Sequence, residues 1–166
     1  MSIISFPDGN EEGCIEYCGE VYNGCRHGLG VMTWEGGTCY AGEWSQDKPD
    51  GYGCEQYPDG SVYGGQFKNA QRHGMGRFQN ADYYYAGQWK EGLRHGVGVE
   101  LECNEKDELV PRMAIYIMGA LTKASEKTPD NSRRIDAEVS LMIDLTRKVL
   151  EAADRLVFAV HDDSAA

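Results

Sequence analysis

Apolar and polar positions alternate in short bursts over the first hundred residues, and the bursts return on a fixed period. In Tyr40-Ala-Gly42-Glu-Trp44, successive strand side chains point to opposite faces, so Tyr40, Gly42 and Trp44 share one face and Ala41 and Glu43 the other. The same cadence recurs at Tyr17-Cys-Gly19-Glu-Val21, Tyr63-Gly-Gly65-Gln-Phe67 and Tyr85-Ala-Gly87-Gln-Trp89, the leading tyrosines lying 23, 23 and 22 residues apart. Each burst leads to a Gly-x-Gly pair (Gly28 and Gly30, Gly51 and Gly53, Gly74 and Gly76, Gly96 and Gly98) that opens a second strand. Turn-forming groups separate the units: Glu35-Gly36-Gly37, Pro58-Asp59-Gly60 and Asn80-Ala81-Asp82. Each unit is therefore predicted to be a β-hairpin. One hairpin cannot bury its own aromatic face, so about four stack into a single elongated antiparallel sheet over residues 14–103.

The pattern changes after Cys103. Residues 111–121 are apolar nearly all round and open on Pro111, which suits a first helical turn, so a buried helix is expected there. A break at Glu126-Lys-Thr-Pro129-Asp-Asn131 precedes a longer amphipathic helix capped near Ser132. Ile135, Val139, Met142, Val149, Ala153, Leu156 and Val160 form its apolar stripe in steps of three and four, with Thr146 in the one gap. The fold class expected is mainly β with an α-helical C-terminal tail. Its parts are an N-terminal segment or degenerate half-repeat over 1–13, the repeat sheet over 14–103 and a helical extension over 104–166.

The combination Tyr-x-Gly-x-aromatic-x-x-Gly-x-x-x-Gly-x-Gly at this period resembles the membrane occupation and recognition nexus (MORN) repeat. Phe6-Pro-Asp8-Gly9 echoes Tyr57-Pro-Asp59-Gly60 and reads as the end of a degenerate copy. Departures are local. Val21 replaces an aromatic, Asp47 and Ala70 stand at a glycine position, and the connection before Tyr85 is one residue short. The resemblance implies scaffolding. Proteins with such repeats include ciliary, cytoskeletal and membrane-junction components, and the enzymes among them carry separate catalytic domains.

Charge narrows the partners. The chain carries 16 basic against 27 acidic side chains, net -11, and residues 1–103 hold 15 of the acids against 7 bases. That sign repels nucleic acid and anionic lipid head groups. No segment reaches the roughly 18 apolar residues of a membrane helix, and the N-terminus lacks the basic-then-apolar order of a signal peptide. An intracellular setting is expected, in cytoplasm, cytoskeleton, cilium or an organelle, with the six cysteines as reduced thiols.

Candidate chemistry is sparse. Arg26-His27-Gly28, Arg72-His73-Gly74 and Arg94-His95-Gly96 recur, but equivalent histidines lie two strands (about 10 Å) apart and cannot share a zinc ion. Cys14, Cys18 and Cys25 lack paired C-x-x-C spacing. Glu20, Glu43, Gln66 and Gln88 read as a solvated row on the face away from the rings. No nucleophile elbow or phosphate loop is present in the sequence, so neither enzymatic activity, metal nor cofactor is expected.

What remains is binding. Tyr17, Tyr40, Trp44, Tyr63, Phe67, Tyr85 and Trp89 are expected to line a groove for a helix or extended peptide of another subunit. Ile135, Val139, Met142, Val149, Leu156 and Val160 offer a helix interface. The tail is expected either to lie along the groove or to cover the sheet edge left by residues 96–103, or else to pair with another copy of the chain. The reading is a scaffold or adaptor subunit; the alternative is a module tethered to anionic phospholipid.

Overall fold

The computed structural model describes residues 2–5, 14–103 and 109–125. Among these, eleven strands form one antiparallel sheet in chain order, each paired with the next. They are β1 (Ser2–Ser5), β2 (Cys14–Tyr22), β3 (Cys25–Trp34), β4 (Cys39–Ser45), β5 (Lys48–Gln56) and β6 (Val62–Lys68). The series continues with β7 (Gln71–Gln79), β8 (Tyr84–Lys90), β9 (Leu93–Cys103), β10 (Leu109–Ile117) and β11 (Ala120–Ser125). Sequential antiparallel pairing needs only local turns, and the turn residues supply them.

Two-residue turns join β2–β3, β4–β5, β6–β7, β8–β9 and β10–β11. Both central residues have positive φ in every case: Asn23 and Gly24, Gln46 and Asp47, Asn69 and Ala70, Glu91 and Gly92, Met118 and Gly119. This is the type I′ geometry whose twist matches paired strands. The tips are tied sideways by one recurring bond. The second turn residue donates its N–H to a carbonyl of the preceding hairpin: Asp47 to Arg26 at 3.1 Å, Ala70 to Pro49 at 2.8 Å, Gly92 to Arg72 at 2.9 Å and Gly119 to Arg94 at 2.8 Å.

The predicted helix over 111–121 is replaced by a fifth hairpin, and no helix occurs among the described residues. The segment is apolar on both sides because it is a strand. Ala114 and Tyr116 alternate with Met113, Ile115 and Ile117, and Met118-Gly119 supplies the turn. Pro111 is tolerated because β11 reaches only to the pair Met113–Ser125, so that among the described residues no strand pairs with the outer side of β10 at Pro111. Counted back from the turn, Arg112 occupies the tyrosine position, Ala114 the glycine position and Tyr116 the aromatic position of a repeat. The longer helix, with Ile135, Val139, Met142, Val149, Leu156 and Val160, lies outside the described residues.

At the other end, β1 places Ile4 opposite Tyr17, as β3 places Met32 opposite Tyr40. The Phe6-Pro-Asp8-Gly9 echo lies outside the described residues.

Candidate functional site

The seven rings read from the sequence do come together, and they fill the space between themselves. Tyr17, Trp44, Tyr40, Phe67, Tyr63, Trp89 and Tyr85 form an unbroken zigzag that ends on Tyr116, with ring centroids 5.0 to 5.7 Å apart and planes 82 to 89° to one another. Edge-to-face contacts of this kind contribute about 0.5–1.5 kcal/mol each beyond the area they bury. Each leading tyrosine donates its hydroxyl to the carbonyl three residues on: Tyr17 to Glu20 at 2.7 Å, Tyr40 to Glu43 at 2.9 Å, and Tyr63 to Gln66 and Tyr85 to Gln88 at 3.0 Å. Trp44 and Trp89 donate Nε1 to the carbonyls of Gly30 and Gly76, both at 3.1 Å, in the hairpin before. The four tyrosines are at most 1 % exposed and Trp89, the most open of the seven, 7 %. The expected open groove is thus a closed core. Its ring faces are occupied by neighbouring repeats.

The arginines complete that core, a role the sequence reading missed. Arg72 places its guanidinium carbon 4.9 Å from the Tyr63 ring centre and 5.4 Å from Trp89. Arg94 lies 4.2 Å from Tyr116 and Arg26 4.9 Å from Trp44. Guanidinium over an aromatic face is favourable by about 0.5–2 kcal/mol, more as water is excluded. Acids hold each cation in place: Asp47 for Arg26 at 3.1 Å, Glu55 for Arg72 at 3.5 Å and Glu100 for Arg94 at 3.2 Å. The signal was present in the sequence. Arginine recurs on the period of the rings, opposite Val21, Phe67 and Trp89 in register.

Glu100 is the most enclosed charge among the described residues, at 2 % exposure. It accepts from Arg94 and from Arg112 at 3.0 Å, and the hydroxyls of Tyr83 and Tyr116 also donate to it. Burial pushes its carboxyl up, but the bonds from Tyr116, Tyr83 and Arg112 and the charge of Arg112 outweigh that and hold it below the usual glutamate range. The same carboxylate, together with burial, pushes Tyr83 and Tyr116 up. This cluster fastens the fifth hairpin to the fourth. Two guanidiniums converge there on one carboxylate, and the cluster is a structural clasp.

The row Glu20, Glu43, Gln66 and Gln88, expected to be merely solvated, has work inside the sheet. Beside each of these residues the pairing register of its hairpin shifts, and on the partner strand a glycine of positive φ (Gly28, Gly51, Gly74 or Gly96) turns away. The side chain then accepts the next N–H along: Leu29 to Glu20 at 2.9 Å, Tyr52 to Glu43 at 3.2 Å, Met75 to Gln66 at 2.9 Å and Val97 to Gln88 at 3.2 Å. An orphaned donor at each bulge is satisfied this way. The histidines line the turn edge: His27 rests on Tyr22 at 5.7 Å, and His95 Nδ1 accepts the Met118 N–H at 3.4 Å.

With the repeated residues committed to the sheet, the hairpin tips are where the chain departs from the repeat. At the strand end and turn of the middle hairpins stand exposed Lys68 and Asn69, then Lys90 and Glu91. The fifth hairpin puts Ile117 and Met118 there, 58 % and 41 % exposed, beside Leu93 at 43 % and Leu121 at 47 %. A Cβ on Gly119 would touch Leu93 Cδ2 at 3.5 Å, so the fifth turn lies beside Leu93. Among the described residues no cluster of metal-ligating side chains occurs, and no helix is long and apolar enough to cross a membrane.

Four consecutive segments match the family model for the MORN repeat: residues 17–39, 40–62, 63–83 and 85–101. Together they cover more than half of the chain, which belongs to the MORN repeat family. Such repeats are generally protein- or membrane-binding modules. A search of curated proteins found no match to the chain.

Proposed function

We propose that this MORN-repeat protein is a non-enzymatic scaffold subunit that holds other proteins of a larger intracellular assembly against the end of its sheet. The observation that carries this reading is the switch from lysine, asparagine and glutamate to Ile117 and Met118 at the tip of the last hairpin. Ile117, Met118 and Leu121 of the last hairpin stand exposed beside Leu93 of the fourth, where the second to fourth hairpins place Ser45 and Gln46, Lys68 and Asn69, and Lys90 and Glu91 at the tip. Scattered surface apolar residues are ordinary, whereas a contiguous cluster rimmed by polar groups suits a partner. Among the described residues no strand pairs with the outer edge of β11 beside it, which adds backbone groups that a partner strand could meet.

The net charge of -11 disfavours the lipid-bound alternative, because the chain repels anionic head groups overall. Cross-linking mass spectrometry on the native assembly tests the proposal, since Lys90 and Lys123 flank the patch. Links from these two lysines to other polypeptides support it. Links absent there, with salt-sensitive sedimentation on anionic vesicles instead, favour the lipid reading.

A further inference from the structure

We propose that Asn23 is a site of spontaneous covalent modification, where the side-chain amide is lost through a cyclic imide and replaced by a carboxylate. Asn23-Gly24 is the one Asn-Gly pair in the sequence, and it forms the tip of the first hairpin. Both residues are exposed, with φ of 51° and 80°. In the other four hairpins the N–H of the second turn residue is held by the hairpin before it, from Asp47, Ala70, Gly92 and Gly119, at 2.8 to 3.1 Å. Among the described residues no carbonyl accepts from the Gly24 N–H. The space beside it is open too, since a Cβ on Gly24 would meet none of the described residues within 4 Å.

The nitrogen that the other tips tie down is the nucleophile of this reaction. Gly24 N gives its proton to solvent base and attacks Asn23 Cγ. The new C–N bond closes the imide, and the side-chain nitrogen leaves as ammonia with a proton taken from solvent. Water then opens the ring at either carbonyl. One opening gives aspartate, and the other gives isoaspartate, whose main chain runs through the former side chain. In sum, an amide and water become a carboxylate and ammonium. Closure requires the peptide plane between the two residues to turn and its nitrogen to lose a proton, and a bond from that N–H opposes both. Glycine in second place leaves the nitrogen unshielded. Asn69-Ala70 is the internal contrast. It is also exposed, with φ of 51° and 64°, but the Ala70 N–H donates to the Pro49 carbonyl at 2.8 Å and the Asn69 N–H to the Asp50 carboxylate at 3.1 Å. The new charge would stand beside Tyr22, 66 % exposed and resting on His27, in the first hairpin and not the fifth. The inference is thus independent of the partner reading.

The test uses the full chain with Ala70→Gly, which gives the third hairpin the same dipeptide while keeping its tie to Pro49. Incubation at mildly alkaline pH followed by peptide mapping reads both asparagines in one molecule. Asn23 is expected to convert about five- to tenfold faster than Asn69, the factor that one net backbone hydrogen bond supplies. In urea, where the tie is lost, the two rates are expected to converge. Equal rates in the folded chain, a difference that survives unfolding, or an Asn23 that keeps its amide in the folded chain each overturn the proposal.

Discussion

Tyr40 lies so closely over Gly42 that a methyl group on the glycine would stand 2.5 Å from the tyrosine hydroxyl and 2.5 Å from the Cα of Gly53. The second obstacle is backbone, which cannot step aside as a flexible side chain can. Gly42→Ala is therefore expected to destabilise the sheet by about 1–3 kcal/mol, the range of core overpacking. Tyr40→Phe removes only the bond to the Glu43 carbonyl and costs about 0.5–1.5 kcal/mol. Urea unfolding of the two variants checks the order, and a neutral Gly42→Ala contradicts it.

Ala70 holds the second turn position at φ 64°, where Gly24 and Gly92 stand in other hairpins. A left-handed non-glycine residue costs about 1–2 kcal/mol. Ala70→Gly is expected to raise stability by about 0.5–1 kcal/mol after the added freedom of the unfolded chain is deducted. Asp47 has the same φ, but its carboxylate accepts from the Arg26 N–H at 2.8 Å and Nε at 3.1 Å. Asp47→Gly should therefore fail to show the gain. Melting curves of both variants against the native chain decide it.

Acid should loosen the fifth hairpin first. The donors around Glu100 hold its folded carboxyl below the usual value of 4.5. A depressed acid contributes stability that is complete above its unfolded value and is lost as pH falls through the folded one. Stability should decline below about pH 4.5. Glu100→Gln should flatten that decline and lower stability at neutral pH by about 2–3 kcal/mol. That is less than the roughly 3–5 kcal/mol for a wholly buried pair, because Arg94 and Arg112 keep some water. Hydrogen exchange at 109–125 against pH reads the effect locally.

Alkali acts through the rings. Burial pushes Tyr17 up to about 12, and burial with the Glu55 bond does the same for Tyr57; Tyr40, Tyr63 and Tyr85 are pushed up as well, chiefly by burial. Phenols raised in the fold keep protons that the unfolded chain gives up above its ordinary value of 10. Stability is intact below that pH and falls as pH climbs through the folded values. Tyrosinate absorbance should lag and then rise together with loss of the sheet signal in circular dichroism. Complete ionisation with the sheet still intact would contradict the ladder.

The hairpin series was legible because a period-2 pattern inside a 23-residue period leaves little choice of register. Residues 111–121 were not. Without alternating polar positions, an apolar run of that length suits a buried helix and a buried strand equally, and a proline at its start tilts the reading towards helix. The decisive cue was Met118-Gly119, a turn in line with Glu91-Gly92 one repeat earlier. The tyrosines and tryptophans were placed on the correct side, yet their burial was not foreseen. It depends on T-shaped contacts that alternate within and between hairpins and on arginines reaching in from a neighbouring strand, which the pattern of alternating residues does not display. Glu20, Glu43, Gln66 and Gln88 looked like a surface row because a side-chain oxygen that satisfies a bulge and one that faces water share the same column.

Hydroxyl-radical footprinting of the chain alone and in its native assembly tests the central claim most directly. Rings that belong to the sheet's own core, with partners held at the last hairpin, predict low reactivity of Tyr40, Trp44, Tyr63 and Trp89 in both states. Leu93, Ile117 and Met118 should react freely in the isolated chain and be protected in the assembly. Reactive rings that become protected only on assembly, with Ile117 and Met118 unchanged, would contradict it.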